Sequence, residues 1–358
     1  MVDLKKYGYM ETEPLIEGTV PGRIIKANRG NYVVVTELGE VSAELKGSFY
    51  YSAKEHGNFP CVGDFVHLQY QQSGNSLITM VLPRRSRFSR ADFSGHDSEY
   101  AKAVREQVVA TNFDYVFVIS SLNHDFKVNR IMRYITQAKQ SGGQAIVILT
   151  KADLVEDFSL QVEQLNQALP GVPVHVISSH TGFGLETLED YFQPGKTGVF
   201  LGMSGVGKSS LLNTLMRREV MQVKEVREAD SRGRHTTTHR ELFMLPSGMM
   251  VIDTPGMREL GLLGAEEGIS ASFSDIETLS SKCRFKDCRH TTEPGCAILA
   301  ALEEGSLSRE RWQQYLIQKK ENEFSDNKMG YLIDKRARDK YSAMWDKENR
   351  KNGKFKKR

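Results

Sequence analysis

Long hydrophobic runs are missing from this sequence, which has no stretch of about 18 apolar residues that would span a membrane as a helix. The first residues also lack the apolar core of a signal peptide, so we expect a cytoplasmic protein without a membrane partner. Cysteine is scarce: only 4 occur, and three of them lie within residues 283–296. In a chain without a secretory signal, such clustering favours a metal site over disulfide bonds.

Excess charge is nearly absent too, because the 358 residues carry a net charge of only +3. Residues 331–358 hold 11 Lys and Arg against 4 Asp and Glu, so the positive excess lies in this tail and the rest of the chain is mildly acidic. The tail interleaves its basic residues with Tyr341, Trp345 and Phe355. This composition favours RNA binding through phosphate contacts and stacking on unpaired bases, although a solvated helix with a frayed end fits it as well.

Length and hydrophobic content, by contrast, are sufficient for roughly two to three domains, since 39% of the 358 residues are hydrophobic. Residues 1–82 contain short β-rich runs separated by turns, which predict a five-stranded OB-type barrel. Such barrels often bind oligonucleotides, but a β module without an RNA role fits the same pattern. Residues 83–99 are basic and rich in turn formers, and we interpret them as a linker.

Residues 100–268 alternate apolar runs of strand length with helical patterns, which predicts a mostly parallel sheet with helices on both faces. The predicted strands are 114–120, 144–150, 172–178, 197–203 and 249–254. The clearest helical patterns cover 127–140 and 208–217. Residues 269–358 are mainly helical and increasingly basic, so three domains with a linker are expected.

The segment "GMSGVGKSS" at 202–210 follows a predicted strand and opens a predicted helix, the context of a phosphate-binding loop. Its backbone N–H groups and the helix N-terminus would converge on phosphates. Lys208 would reach the β- and γ-phosphates, and Ser209 would bind Mg²⁺. The expected nucleotide contacts are Gly202, Met203, Ser204, Gly205, Val206, Gly207, Lys208, Ser209 and Ser210.

A second strand end, "VIDTPG" at 251–256, follows the phosphate loop by about fifty residues. Asp253 would hold Mg²⁺ through water, and Gly256 would offer its N–H to the γ-phosphate. The polar stretch 231–242 between them has three consecutive threonines, one of which could reach Mg²⁺ only when the γ-phosphate is present. An ordinary surface loop fits that stretch as well.

Two earlier strand ends suggest a guanine site. In "LTKAD" at 149–153, Asp153 would accept the N1–H and N2–H of guanine, and the stem of Lys151 would lie along the base. In "VISSHTG" at 176–182, Ser178 and Ser179 would present backbone N–H groups near guanine O6. Thr150 completes the first loop, at a position where most GTPases have Asn.

Four soft ligands follow the nucleotide motifs, in the pattern C-x4-C-x-H-x5-C. Cys283, Cys288, His290 and Cys296 predict a closed structural zinc site that staples a small helical domain. Unliganded surface thiols and a catalytic zinc are the alternatives. Cys61 lies far away among strands, and we expect a buried, small hydrophobic side chain there.

The order of the motifs, base, base, phosphate, switch and magnesium, resembles that of the circularly permuted GTPases. With a barrel before them and a Cys/His cluster after them, nearly the whole chain is similar to the ribosome small-subunit-dependent GTPase A family. The segments "GMSGVGKSS", "GRHTTTH" and "DTPGM" carry this resemblance. It implies three parts: an OB-type β-barrel, an α/β P-loop GTPase domain with permuted motif order, and a mainly helical zinc-binding domain.

The resemblance also implies site residues. Many GTPases position the attacking water with a Gln, but Met257 stands at that place. The family points instead to His235 as the residue that orients water, and to Thr237 as the switch threonine on Mg²⁺. Neutral imidazole can hydrogen-bond water near pH 7, although a His235 that only packs the loop remains open. Ser179 and His180 depart from the family's usual Ala-Lys.

We therefore expect a monomeric GTPase that binds the small ribosomal subunit and its rRNA late in subunit maturation. The subunit would stimulate a low intrinsic rate, and conversion of GTP to GDP would release the protein. One alternative is an RNA-binding assembly scaffold that uses GTP as a structural ligand. Another is a P-loop ATPase or kinase that acts on a small molecule.

Overall fold

A computed structural model describes most of the chain. The described residues are 1–10, 16–28, 30–56, 59–92, 105–123, 126–221, 240–254, 256, 261–262 and 264–327. The predicted RNA-binding tail at 331–358 lies outside them.

The N-terminal part is a closed barrel. Its five strands and one helix are β1 (Val20–Asn28), β2 (Asn31–Thr36), β3 (Gly39–Leu45), α1 (Gly47–His56), β4 (Phe65–Gln69) and β5 (Ser76–Val81). They follow the order β1-β2-β3-β5-β4, and β4 pairs back with β1 to close the ring. Aliphatic side chains such as Ile24, Val34 and Leu68 fill the interior. The predicted barrel is confirmed, whereas the helix after β3 was not expected.

The central part is a six-stranded sheet. Its strands are β8 (Tyr115–Ser121), β9 (Gln144–Thr150), β10 (Val174–Val176), β11 (Thr197–Leu201), β12 (Arg240–Met244) and β13 (Met250–Asp253). The order is β10-β9-β8-β11-β13-β12, in which all neighbours are parallel except β12, which runs antiparallel to β13. The predicted parallel sheet is confirmed, and β12 is an addition to it.

Helices cover both faces of this sheet, because successive apolar residues of each strand point to opposite sides. Val116 and Val118 join the core under α2 (Val128–Gln140), whereas Phe117 and Ile119 join the core under α4 (Lys208–Met216). The remaining helices are α3 (Ser159–Ala168), α5 (Glu266–Ser272), α6 (Ser274–Ser280), α7 (Ala297–Glu304) and α8, described over 309–327. Among the described helices, none has the length and apolar character needed to cross a bilayer.

The barrel and the sheet share strand β1. The first half of β1 pairs with β4, and its second half pairs on the same side with β12, through Lys26 opposite Glu241 and Ala27 opposite Arg240. A bulge between Ile24 and Lys26 bends β1 at the point where it changes partner. The two parts therefore form one continuous sheet of eleven strands.

A buried arginine reinforces this junction. Arg23 of β1 donates to the carbonyls of Tyr7 (2.6 Å), Gly63 (3.3 Å) and Asn112 (2.8 Å), and to Thr197 Oγ1 at the start of β11 (3.0 Å). Burial, together with the nearby charge of Arg85, lowers the pKa of this guanidinium to about 9. Since the charge is satisfied mainly by carbonyls, Arg23 fixes the barrel against the strands that carry the phosphate loop.

The expected linker at 83–99 contains a strand. β6 (Arg87–Asp92) pairs antiparallel with β7 (Arg105–Thr111) in a separate two-stranded sheet. The boundaries expected at residues 82, 99 and 268 stay predictions.

The C-terminal helices pack on the central part. Arg133 of α2 pairs with Glu321 of α8 (2.5 Å), and Thr136 donates to Gln318 (2.7 Å). The mainly helical C-terminal part predicted from the sequence is confirmed.

Candidate functional site

The predicted nucleotide loops meet at one edge of the sheet. Residues 202–207 follow β11, Asp253 ends β13, residues 151–153 follow β9, and residues 178–183 follow β10. Because these strands are parallel, their carboxyl ends lie at the same edge, and this is where open α/β sheets bind ligands.

Glycines allow the phosphate loop to fold tightly. Gly202 has φ +154°, and a Cβ there would lie 2.3 Å from the Ile119 carbonyl, so no other residue fits. A Cβ on Gly256 would lie 2.7 Å from the backbone N of Ser204. The loop after β13 therefore touches the phosphate loop directly, as a γ-phosphate contact requires.

Lys208 folds back onto its own loop. Its Nζ donates to the carbonyls of Gly202 (2.8 Å) and Met203 (2.7 Å), and the side chain is buried. Burial lowers the pKa of Lys208 to about 8, and the charge of Asp253 opposes this shift. A phosphate bound in the loop would give Lys208 Nζ an anionic acceptor in place of these two neutral carbonyls. Hydrogen bonds to charged acceptors are stronger, so the loop favours a negatively charged ligand.

Asp253 is a buried carboxylate without a full set of partners. Its Oδ1 has no hydrogen-bond partner. Burial raises the pKa of Asp253 to about 6, while Lys208 draws it down. Thr254 next to it donates to the Phe200 carbonyl (2.6 Å) and so fixes the end of β13 against β11. An unpartnered carboxylate oxygen beside a phosphate loop suits a hydrated Mg²⁺, with Ser209 of α4 as the hydroxyl ligand.

The two base loops are joined through Asp153. Ser178 Oγ donates to Asp153 Oδ1 (2.5 Å) and accepts from the amides of His180 and Thr181 (3.2 Å each). The amide of Ala152 also donates to the Ile177 carbonyl (3.1 Å). These bonds hold the exposed Asp153 carboxylate in one orientation with its second oxygen available. The sequence predicted Ser178 as a GTP contact, but not this bond to Asp153.

Thr150 ties the first base loop to the phosphate loop. Its buried hydroxyl lies 2.5 Å from the Val206 carbonyl and 3.3 Å from the Ser120 carbonyl. The hydroxyl therefore joins the end of β9 to the phosphate loop and to the end of β8. Lys151, the next residue, has φ +62°, which turns the chain away from the strand.

The second base loop also contacts α4. Thr214 Oγ1 donates to the Ser179 carbonyl at 3.4 Å. The sequence did not predict a role for Thr214, because nothing in its position within α4 distinguishes it from the other residues of that helix. Thus both base loops are fixed to the phosphate-loop unit, the first through Thr150 and the second through Thr214.

The predicted hydrolytic residues His235 and Thr237 lie outside the described residues, as does Met257. Their roles therefore stay predictions. Ser210 lies in the first turn of α4, half-buried.

The four predicted zinc ligands are gathered in one cluster, and their ligand atoms all lie within 4.8 Å of one another. Cys283 Sγ is 3.9 Å from Cys296 Sγ and 3.6 Å from His290 Nδ1, and His290 Nδ1 is 3.3 Å from Cys296 Sγ. Tetrahedral zinc with its usual bond lengths separates such ligands by about 3.5–3.8 Å. The cluster can therefore hold a metal ion.

Surrounding groups orient these ligands. His290 Nε2 lies 3.1 Å from Ser280 Oγ, and the Trp312 ring packs edge-on against the imidazole at 5.6 Å. The amide of Ala297 points at Cys283 Sγ (3.4 Å). Such contacts fix the ring and support thiolate ligands. Cys61 is different, because burial raises the pKa of its thiol to about 11, as expected for a small core residue.

Comparison with known proteins agrees with this arrangement. A family model described as RsgA GTPase matches residues 81–263. The small ribosomal subunit biogenesis GTPase RsgA 1 of Listeria monocytogenes is 41% identical over 345 residues, which are 95% of each chain. The small ribosomal subunit biogenesis GTPase RsgA of Streptomyces avermitilis is 42% identical over 86% of this chain and 80% of its own.

Solved structures are similar as well. YjeQ from Thermotoga maritima has a TM-score of 0.61 and 25% identity, over 83% of this chain and 96% of its own. YloQ, described as a circularly permuted GTPase, has a TM-score of 0.56 and 27% identity, over 85% of this chain and 96% of its own. The chain therefore belongs to the RsgA GTPase family.

Proposed function

We propose that this protein hydrolyses GTP to GDP while bound to the small ribosomal subunit, and that hydrolysis ends its stay on the subunit. The relatives that match nearly the whole chain are named as small ribosomal subunit biogenesis GTPases. We place its action in the cytoplasm, on the rRNA of the subunit, as a monomer.

One observation carries the proposal: the hydroxyl of Thr150 joins the end of β9 to the phosphate loop at Val206. The guanine-reading loop precedes the phosphate loop in the chain, yet both belong to one site. Asp153 selects guanine because only this base offers it two N–H donors, and Ser178 holds the carboxylate in place.

The phosphates would be held by the backbone of 202–207 and by Lys208, with Gly256 at the γ-phosphate. Mg²⁺ supplies charge neutralisation between the β- and γ-phosphates. Ser209, Asp253 and Thr237 are its proposed protein contacts. We propose that His235 orients the attacking water, since Met257 cannot.

The metal of the Cys/His cluster is proposed to be zinc, because three thiolates and one imidazole in a closed set are typical of structural zinc. The domains are proposed as 1–82 for the barrel, 83–99 as the connecting segment, 100–268 for the GTPase and 269–358 for the zinc domain. The barrel and the basic tail would contact rRNA.

GTP turnover with and without purified small subunits tests this function. We expect slow turnover alone and stimulation of at least about 10-fold by small subunits, because the partner completes the positioning of the switch. Large subunits serve as the control. Turnover that small subunits do not change would contradict the proposal and favour a scaffold that holds GTP as a structural ligand.

A further inference from the structure

A polar cavity lies at the opposite edge of the central sheet, where the parallel strands begin. Its volume is about 380 Å³, which falls within the range of roughly 300–1,000 Å³ found for small-molecule sites. Of the described residues that line it, none belongs to the nucleotide loops. The lining residues are Arg84, Arg85, Ser86, Arg87, Ser89, Glu106, Gln137, Gln140, Ser141, Gly142, Gly264 and Asp326.

Arg85 is weakly engaged. Its nearest carboxylate belongs to Asp114, at 4.0 Å, and 42% of the arginine side chain is exposed. That carboxylate already accepts from Lys196 Nζ (3.0 Å) and from the Thr197 amide (2.9 Å). The guanidinium of Arg85 therefore retains donors for an anionic ligand.

Arg87 lies two residues further along the same wall of the cavity. It pairs with Glu106 at 3.0 Å, and 51% of the arginine side chain and 29% of the glutamate side chain are exposed. An exposed ion pair of this kind contributes little stability, so a phosphate group can replace or share the carboxylate at small cost. Arg85 and Arg87 thus provide two forked donors on one side of the cavity.

Gln137 supplies a different type of group. This α2 residue is only 3% exposed and lines the cavity, yet its Oε1 has no hydrogen-bond partner. A buried amide oxygen without a donor is costly, so such groups are normally satisfied. A side-chain amide presents one acceptor and two donors, which match the edge of a nucleobase.

We propose that this cavity binds a phosphorylated ligand of nucleotide size, with the phosphate on Arg85 and Arg87 and a nucleobase edge on Gln137. The ligand is either a free mononucleotide or an unpaired nucleotide of an RNA chain. The second source rests on the proposed action on the ribosomal subunit; the first does not.

Calorimetric titration of the full-length protein tests the site, with the GTP site filled by GDP and Mg²⁺. The probes are AMP, GMP, UMP, inorganic phosphate and a short single-stranded RNA. We expect at least one mononucleotide or the RNA to bind at one further molecule per chain. Binding of the mononucleotide identifies a free ligand. Binding of the RNA alone identifies an RNA nucleotide when the arginine substitutions in the cavity weaken it, since the barrel and the tail keep their own RNA contacts in those variants.

Variants assign the contacts. Arg85→Gln combined with Arg87→Gln should weaken the new binding at least 10-fold, whereas Arg309→Gln, an exposed arginine on α8, should leave it unchanged. Gln137→Leu should weaken nucleotide binding but not phosphate binding. If that variant fails to fold, the two exposed arginines decide the outcome.

The proposal is wrong if no probe binds at millimolar concentration once the GTP site is filled, or if binding does not respond to the arginine substitutions. Subunit-stimulated GTP turnover is measured in parallel for the same variants. If the wild-type protein shows stimulated GTP turnover but binds none of the probes in the cavity, this proposal is wrong and the proposed function still holds.

Discussion

Lys208 and Asp253 are buried, oppositely charged side chains at the nucleotide site, and each shifts the pKa of the other. The pKa of Asp253 makes the stability of the folded protein depend on pH. The pKa of Asp253 is raised to about 6, so between pH 4 and 6 the folded protein binds more protons than the unfolded chain, in which this carboxyl titrates near its ordinary value of 3.8. Stability from this group is therefore present at low pH and decreases as pH rises through that window. At neutral pH, the ionised and buried Asp253 carboxylate therefore destabilises the nucleotide-free site, and a bound cation would offset this cost.

Asp253→Asn should separate stability from function. Without nucleotide, we expect the variant to be more stable than wild type by about 1–3 kcal/mol at pH 7.5, and the difference to shrink towards pH 5. GTP turnover should fall at least about 100-fold, since the Mg²⁺ contact is lost. Urea unfolding at the two pH values checks this, with the exposed Asp190→Asn as control. A variant less stable than wild type at pH 7.5 would contradict the raised pKa.

The hydroxyl of Thr150 connects the first base loop to the phosphate loop through its hydrogen bond to the Val206 carbonyl. Thr150→Val keeps the shape but leaves the carbonyls of Val206 and Ser120 without this donor, so we expect a loss of about 1–2 kcal/mol of stability. GDP should bind about 10-fold more weakly. Thr150→Ser keeps the hydroxyl and should bind GDP nearly as wild type does. Equal GDP affinity in the Val and Ser variants would show that the hydroxyl does not matter.

At the scale of elements, the metal cluster should stabilise the C-terminal helices without affecting the nucleotide site. The purified protein should contain one zinc per chain, and Cys296→Ser should lower both the zinc content and the melting temperature. GDP affinity should change little, because the nucleotide loops lie on other elements. Elemental analysis and calorimetry measure these effects, and Cys61→Ala, which removes a thiol far from the cluster, should keep its zinc. Full zinc content in Cys296→Ser would rule out the proposed ligand set.

Local patterns predicted the elements that they encode. The strands at 115–121 and 144–150 are almost entirely buried because helices cover both faces, and their apolar runs predicted them within a residue or two. The zinc ligands were predictable because all four lie within fourteen residues. Of the strand predicted at 172–178, only Val174–Val176 forms a strand, and it pairs with residues 147–149 of β9.

Other features depend on contacts between distant residues. β12 is a short strand that begins with polar residues. Its local sequence does not indicate that Glu241 pairs with Lys26 of the barrel. Strand β6 lies in a basic stretch that has the composition of a linker. It was not predicted because its backbone hydrogen bonds come from β7, a later segment of the chain. Likewise, the bond from Ser178 to Asp153 arises only when two strand ends meet. The residues of the switch, including His235 and Thr237, remain sequence-based predictions.

At the scale of the whole molecule, the permuted motif order still brings the described nucleotide loops together at one edge of the central sheet. The phosphate-loop strand β11 lies between β8 and β13. The base loops therefore reach it from one side, and the segment after β13, named the Mg²⁺ loop for its proposed role, reaches it from the other. The permutation changes instead what is attached to each loop. The chain passes from the Mg²⁺ loop directly towards α5 and the metal cluster, while β12 joins the barrel.

The central claim is that the guanine reader and the phosphate loop form one site despite their inverted order. The most direct measurement is the base preference of Asp153→Asn in subunit-stimulated turnover, with Asp190→Asn as the matched control. We predict that Asp153→Asn loses GTP turnover at least about 100-fold and gains XTP turnover, because an amide donates where xanthine presents an acceptor. Unchanged GTP turnover in this variant would contradict the account.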